Sequence, residues 1–264
     1  MSEVESKAGC VDVDPTRRFG AAGVLLIHGG EHAGWSWSHM RVHLDCPSIA
    51  IDLPGRDGGS AVSNLSVRDY VDAAVRLVEE SEWQQVIVVA HSLGGVTACG
   101  LAHTLPQKVR HLIFVASVIP EKGERFMDLA PGPLRPLFEW GYRRAVARHG
   151  VYKFPDVVAR YLFCNDFDRA ETRDLIGRLC AEPPGIVLER AEFSAPAGIP
   201  RTYIRPRHDH ALNRRTQKRM IRLLGDVDVI DIDAGHNVMM SRPIEIATVA
   251  NAIAGRCLSN CAPS

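Results

Sequence analysis

The chain predicts an α/β fold, a mostly parallel sheet flanked by helices, and three observations carry that reading. Short apolar runs alternate with helical patterns along most of the length. The runs are continuous and rich in Val and Ile, as strands covered on both faces require. At 264 residues, with 46% apolar and 23% charged residues, the chain is long enough and apolar enough to bury a sizeable core.

In order, the first strand is Gly23-Val24-Leu25-Leu26-Ile27, which ends in His28-Gly29-Gly30. The second is Ser48-Ile49-Ala50-Ile51-Asp52, halted by Pro54-Gly55. Residues 67–80 place Tyr70, Val71, Ala74, Val75 and Val78 on one helical stripe. A strand over 85–90, a helix over 93–105 and a strand over 111–116 follow. The alternation then lapses until 201–204 (strand), 214–224 (helix), 227–232 (strand) and 244–254 (helix). The lapse, residues 121–195, holds ten of the seventeen aromatic residues of the chain. It reads as a miniature packed subdomain, a lid lining an apolar pocket, or both. The expected division is therefore a core of 1–120 and 196–264 with an inserted helical cap or lid over 121–195.

The formal net charge of +0 argues against a nucleic-acid or anionic-membrane partner. Apolar runs such as Val24–Ile27 are too short to cross a bilayer, and the polar stretch 1–20 lacks the apolar core of a secretory signal. Seven cysteines without CxxC spacing predict neither a disulfide framework nor a zinc site, with most of them core-filling thiols in a reducing, cytoplasmic setting.

The chemistry concentrates around Val88-Val89-Ala90-His91-Ser92-Leu93-Gly94-Gly95. A β-branched run drops into a serine flanked at two residues by Ala90 and Gly94, and a helix follows at once. This is the arrangement of a nucleophile elbow, with alanine for the first glycine of the usual GxSxG. A serine hydroxyl needs a base, and His236 follows a strand within the short Asp233-Ala234-Gly235 loop. That places it at the carboxyl edge of the sheet, where α/β proteins build their sites. His91 is expected to pack beneath the elbow, His103 and His111 to be structural, and His28 to support its loop.

A third group must hold the imidazole in one tautomer. Asp209, after the strand 201–204, is the expected acid, with Glu121 the alternative and Asp231 and Asp233 lesser competitors. His208-Asp209-His210 lacks further ligands at usable spacing, so neither a metal nor a cofactor is expected. Leu93 and Gly30 are expected to supply the two backbone N–H groups of an oxyanion hole.

With these residues in place, the stretch from about 23 to 254 resembles the α/β-hydrolase superfamily. Within it, His28-Gly29-Gly30-Glu31-His32-Ala33-Gly34-Trp35-Ser36-Trp37 and Asp52-Leu53-Pro54-Gly55 resemble the plant methylesterase and hydroxynitrile lyase group and its bacterial relatives. The resemblance implies a helical cap inserted after the sixth strand. It also implies Ser92 as nucleophile, His236 as base, Asp209 as acid, and Gly30 and Leu93 at the oxyanion. Hydroxynitrile lyases of the group typically carry Thr in the oxyanion loop and Lys after the His; Gly29 and Asn237 stand there instead. The expected activity is hydrolysis of a small, largely apolar ester, lactone or thioester through an acyl-enzyme. Two alternatives keep the fold: the same triad used for C–C cleavage, lyase or cyclase chemistry, or a non-catalytic ligand-binding homologue. The expected partner is a small-molecule substrate, and a homo-oligomer is compatible with the sequence.

Overall fold

The computed structural model describes residues 21–56, 62–129 and 135–258. The stretch 1–20, read above for a signal, lies outside them. Six strands form one parallel sheet: β1 (Ala22–Ile27), β2 (Ser48–Ile51), β3 (Gln85–His91), β4 (Val109–Val115), β5 (Arg201–Pro206) and β6 (Asp228–Ile232). Their order across the sheet is β2-β1-β3-β4-β5-β6, and every pairing is parallel. All six predicted strands are present. The run at 111–116, after which the cap was placed, is the fourth strand in this chain's own count.

Successive side chains of a strand face opposite sides, so each apolar run feeds two cores. On one face Leu25, Ile27, Val86, Val88, Leu112, Phe114 and Tyr203 pack together with α2 (Val67–Glu80), α3 (Gly94–Thr104) and α8 (Arg214–Leu224). On the other face Val24, Leu26, Ile87, Val89, Ile113, Val115 and Ile204 pack with α1 (Ser38–Arg41), α9 (Val238–Ser241) and α10 (Pro243–Cys257). Helix α2 starts where Ser66 and Asp69 cap each other reciprocally, and it buries Tyr70, Val71, Ala74 and Val78, the predicted stripe. Strand β6 departs from the buried pattern. It is an edge strand, mostly exposed, and its Asp228 and Asp231 discourage further strand pairing.

Between β4 and β5 lie α4 (Arg135–His149), α5 (Asp156–Phe163), α6 (Arg169–Arg178) and α7 (Pro184–Leu188). Among the described residues this segment contains only isolated strand bridges, Arg125 with Arg190 and Tyr152 with Glu182. It builds two small apolar clusters, one of Ala159, Phe163, Leu175, Ile176 and Leu179 and one of Met127, Tyr142 and Val187. Leu137, Phe138 and Trp140 on α4 remain exposed.

Cys99, Cys164, Cys180 and Cys257 are free thiols, the first two buried. Cys46 is disulfide-bonded, so cysteine usage gives no ground for a reducing compartment. Among the described residues no helix is long and apolar enough to cross a membrane.

The strand order locates the site. The connection from β1 runs to β2 on one side, while β3 continues the sheet on the other. The crevice beyond the carboxyl ends of β1 and β3 is therefore the topological switch point, where open α/β sheets bind ligands. His28-Gly29-Gly30 leaves β1 there, and Ser92 leaves β3.

Candidate active site

Ser92 stands between β3 and α3 with φ of +49°, a left-handed conformation that costs a non-glycine residue strain. The turn is pinned from both sides. The Ser92 N–H donates to the Val115 carbonyl at 3.0 Å, and the Ser92 carbonyl accepts from the Val118 N–H at 2.9 Å. Two glycines make room for it. A Cβ on Gly94 would fall 2.5 Å from the His28 carbonyl oxygen, and one on Gly29 would fall 2.9 Å from the Ser92 Cβ.

The Ser92 hydroxyl lies 3.0 Å from Nε2 of His236, whose Nδ1 lies 2.9 Å from Oδ2 of Asp209. Asp209 keeps its other oxygen occupied by the N–H groups of Ala211 and Leu212, at 2.8 and 2.7 Å. This aims Oδ2 at the imidazole. The network assigns the tautomer: Nδ1–H donates to the carboxylate, which leaves Nε2 to accept from the hydroxyl. His236 and Asp209 are 1% and 7% exposed, so this chain of contacts is shielded from bulk solvent.

The competing acids are engaged elsewhere. Asp231 forms a two-pronged pair with Arg205 at 2.5 and 2.8 Å. Asp233 meets His208 at 2.7 Å on the surface, and Glu121 meets Arg219 at 2.5 Å. The run His208-Asp209-His210 diverges, because His210 donates to the Tyr161 carbonyl and stacks on the Tyr161 ring. No group of three or more His, Cys, Asp or Glu suited to a metal occurs among the described residues.

The bystander histidines sit as expected. His91 lies under the elbow and donates from Nε2 to the His236 carbonyl at 3.0 Å. His28 accepts from the Leu53 N–H and donates to the Gly29 carbonyl, tying down its loop. His111 meets the Thr202 hydroxyl and His103 the Ser194 carbonyl. Gly30 and Leu93 face each other across the elbow, and among the described residues neither backbone N–H is engaged by another backbone group.

Sequence reasoning missed a brace contributed by the 121–195 segment. The Phe163 ring stacks on the His236 imidazole with centroids 5.6 Å apart and planes inclined by 25°, and the Phe163 carbonyl accepts from the Asn237 amide. Asn165 donates to the His208 carbonyl, and Asp166 accepts from the Gly235 N–H and the Ser241 hydroxyl. Asn237, where a lyase would carry Lys, is thus a buried structural tie. The pair Asn165-Asp166 has polar side chains at the end of an apolar helix, but its partners are at least 43 residues away.

Burial also fixes charge states near the site. Glu31, 2% exposed with φ of +59°, has its carboxyl pushed up to about 8, mainly by desolvation. Burial holds His28 and His91 well below 6.5 and His32 down at about 4. The unfolded chain therefore binds more protons through these imidazoles below pH 6.5, and stability drops as pH falls. Glu31 acts in the opposite sense: the folded state keeps a proton the unfolded chain has lost, so stability drops as pH rises toward 8. The melting temperature should peak near pH 6.5 and decline toward pH 8, and Glu31→Gln should flatten that decline. An unchanged alkaline decline in Glu31→Gln, followed by calorimetry, would refute the assignment.

Comparison with known proteins adds the family. The model of the alpha/beta hydrolase family matches residues 24–249. Methylesterase 7 of Arabidopsis thaliana is 26% identical over 263 residues, covering 88% of this chain and 96% of that protein. The carbendazim hydrolyzing esterase of a Nocardioides strain is 28% identical over 120 residues, 44% of this chain; the match spans only half of that protein. Among solved structures, an extracellular alpha/beta-hydrolase from a Paenibacillus species superposes with a TM-score of 0.78 at 19% identity, over 87% of this chain and 98% of that one. The six-stranded parallel sheet, the serine at its switch point and a family match spanning both place this chain in the alpha/beta hydrolase family, as a hydrolase enzyme.

Proposed function

We propose that this protein hydrolyses small, largely apolar carboxylic esters, lactones or thioesters through an acyl-enzyme on Ser92. The observation that carries the reading is the chain of contacts Ser92 Oγ to His236 Nε2 to Asp209, at 3.0 and 2.9 Å, in a buried setting. Ser92 attacks the carbonyl carbon while His236 takes its proton, and Asp209 stabilises the imidazolium that forms. The N–H groups of Gly30 and Leu93 receive the developing oxyanion, reinforced by the positive end of α3, which begins at Gly94. His236 then returns the proton to the leaving group and activates water against the acyl-enzyme.

The 121–195 segment acts as the cap. It presents Phe163 to the imidazole, and Phe163 in turn packs edge-on against His32 and Phe154. Esterase chemistry in the relatives named above agrees with this reading, and apolar rings around the base favour an apolar substrate.

A fluorophosphonate probe tests the nucleophile without knowledge of the substrate. The folded protein should be labelled at Ser92, located by peptide mass spectrometry, and should cleave p-nitrophenyl esters in a screen over acyl length. A well-folded protein that takes no label would favour the ligand-binding alternative. Labelling without release of acid and alcohol would favour the lyase or cyclase one.

A further inference from the structure

A buried ionic network outside the triad grips the oxyanion loop. Glu182, in the 121–195 segment, accepts from the backbone N–H of Glu31 at 2.7 Å. The same oxygen, Oε2, accepts from Arg56 at 2.9 Å, and Oε1 accepts from the Tyr70 hydroxyl at 3.0 Å. Arg56 also donates to the Ala181 carbonyl, and its side chain and that of Glu182 are each only 3% exposed. Backbone pairing with Tyr152 holds Glu182 in place from behind. A methyl group placed on Gly30 would stand 3.5 Å from Glu182 Oε2. Arg56, Tyr70 and Glu182 line one narrow crevice together with Gly30 and Leu93.

Each peptide around Gly30 is held at both ends except at one group. The Gly29 carbonyl accepts from His28 Nδ1 and the His32 N–H, and the Gly30 carbonyl accepts from His32 Nδ1. The Glu31 N–H goes to Glu182, and the Glu31 carbonyl accepts from the Cys180 N–H. Among the described residues, the N–H left over is that of Gly30. Two successive glycines have no side chains to restrict their backbone, so the direction of that N–H depends on these external ties. Of the ties to the Gly30–Glu31 peptide, the carboxylate of Glu182 is the charged one, and charge-assisted hydrogen bonds are the stronger kind.

We infer that Glu182, fixed by Arg56 and Tyr70, is a positioning residue that aims the Gly30 N–H at the substrate oxyanion. This rests on the ester-hydrolase reading above. It couples the cap to the oxyanion hole through a charged side chain, beside the backbone ties of Cys180 and Phe154 to Glu31. A network that only held the fold together could be replaced by apolar groups without loss of rate.

The test separates those roles. Glu182→Leu alone strands a buried guanidinium and is expected to destabilise the fold, so the deciding variant is Arg56→Met/Tyr70→Phe/Glu182→Leu, in which no charged side chain of the network is left unpaired, while the Glu31 N–H and the Ala181 carbonyl lose their side-chain partners. Its kcat on a p-nitrophenyl ester should fall about 10–100-fold, less than removal of an oxyanion donor costs, with KM within about threefold. Its inhibition constant for a trifluoromethyl ketone, whose adduct carries the oxyanion, should rise in step with the loss of kcat/KM. Glu182→Gln keeps an oxygen facing the Glu31 N–H and should retain more of kcat than the triple variant. A triple variant with the parent's kcat and inhibition constant overturns the inference. Ser92→Ala, assayed alongside, separates the two claims: if it is inactive while the triple variant matches the parent, only the role of Glu182 falls.

Discussion

Ser92→Ala is expected to lower kcat by about 10⁶-fold, as loss of the nucleophile does in serine proteases. The substitution removes the hydroxyl that His236 Nε2 meets at 3.0 Å. It leaves the elbow's backbone bonds to Val115 and Val118 untouched. Folding should therefore be preserved, and the residual rate would come from the oxyanion N–H groups and substrate binding alone, roughly 10³–10⁴ over water. The loss should fall on kcat with little change in KM. Steady-state rates on a p-nitrophenyl ester, with a circular dichroism melt of the same sample, measure both. Retention of a tenth of the parent activity in folded protein would remove Ser92 from the mechanism.

Most of the scaffold was legible in the sequence because burial on both faces leaves a simple mark. Continuous runs such as Val86-Ile87-Val88-Val89 have no polar residue to spare, and they mark the interior strands. Helix α2 showed equally well, since its stripe at Tyr70, Val71, Ala74 and Val78 has the period of a helix packed on one side. Strand β6 was found although its pattern is not that of a buried strand. It borders solvent, so exposure there is set by its edge position, which no local window contains.

The site divides along the same physical line. Ser92, His236 and Asp209 each end or follow a strand, so the sheet's directionality alone predicts that they converge. The residues that brace them obey no such rule. Glu182 reaches Glu31 across 151 residues and Asp166 reaches Gly235 across 69, from a segment whose helices pack into small clusters of their own. Polar contacts of that kind depend on how two units dock, and composition says nothing of docking. Cys99 and Cys164 are buried free thiols as expected, whereas Cys46 is bonded, because spacing along the chain does not report which thiols meet.

Asp209→Asn should lower kcat by about 10⁴-fold, the cost of the wrong imidazole tautomer in serine hydrolysis. An asparagine at 209 can still accept from the Ala211 and Leu212 N–H groups through Oδ1, so the loop should hold its shape. Its amide would then face His236 Nδ1 as a donor where the carboxylate was an acceptor. To meet it, Nδ1 must give up its proton and Nε2 must carry one, pointing a donor at the Ser92 hydroxyl that needs an acceptor. Glu121→Gln and Asp233→Asn, whose carboxylates meet Arg219 and His208 instead, should stay within about twofold of the parent. A mild loss in Asp209→Asn beside a large one in Glu121→Gln would move the acid to the end of β4 and leave the nucleophile and base where they are.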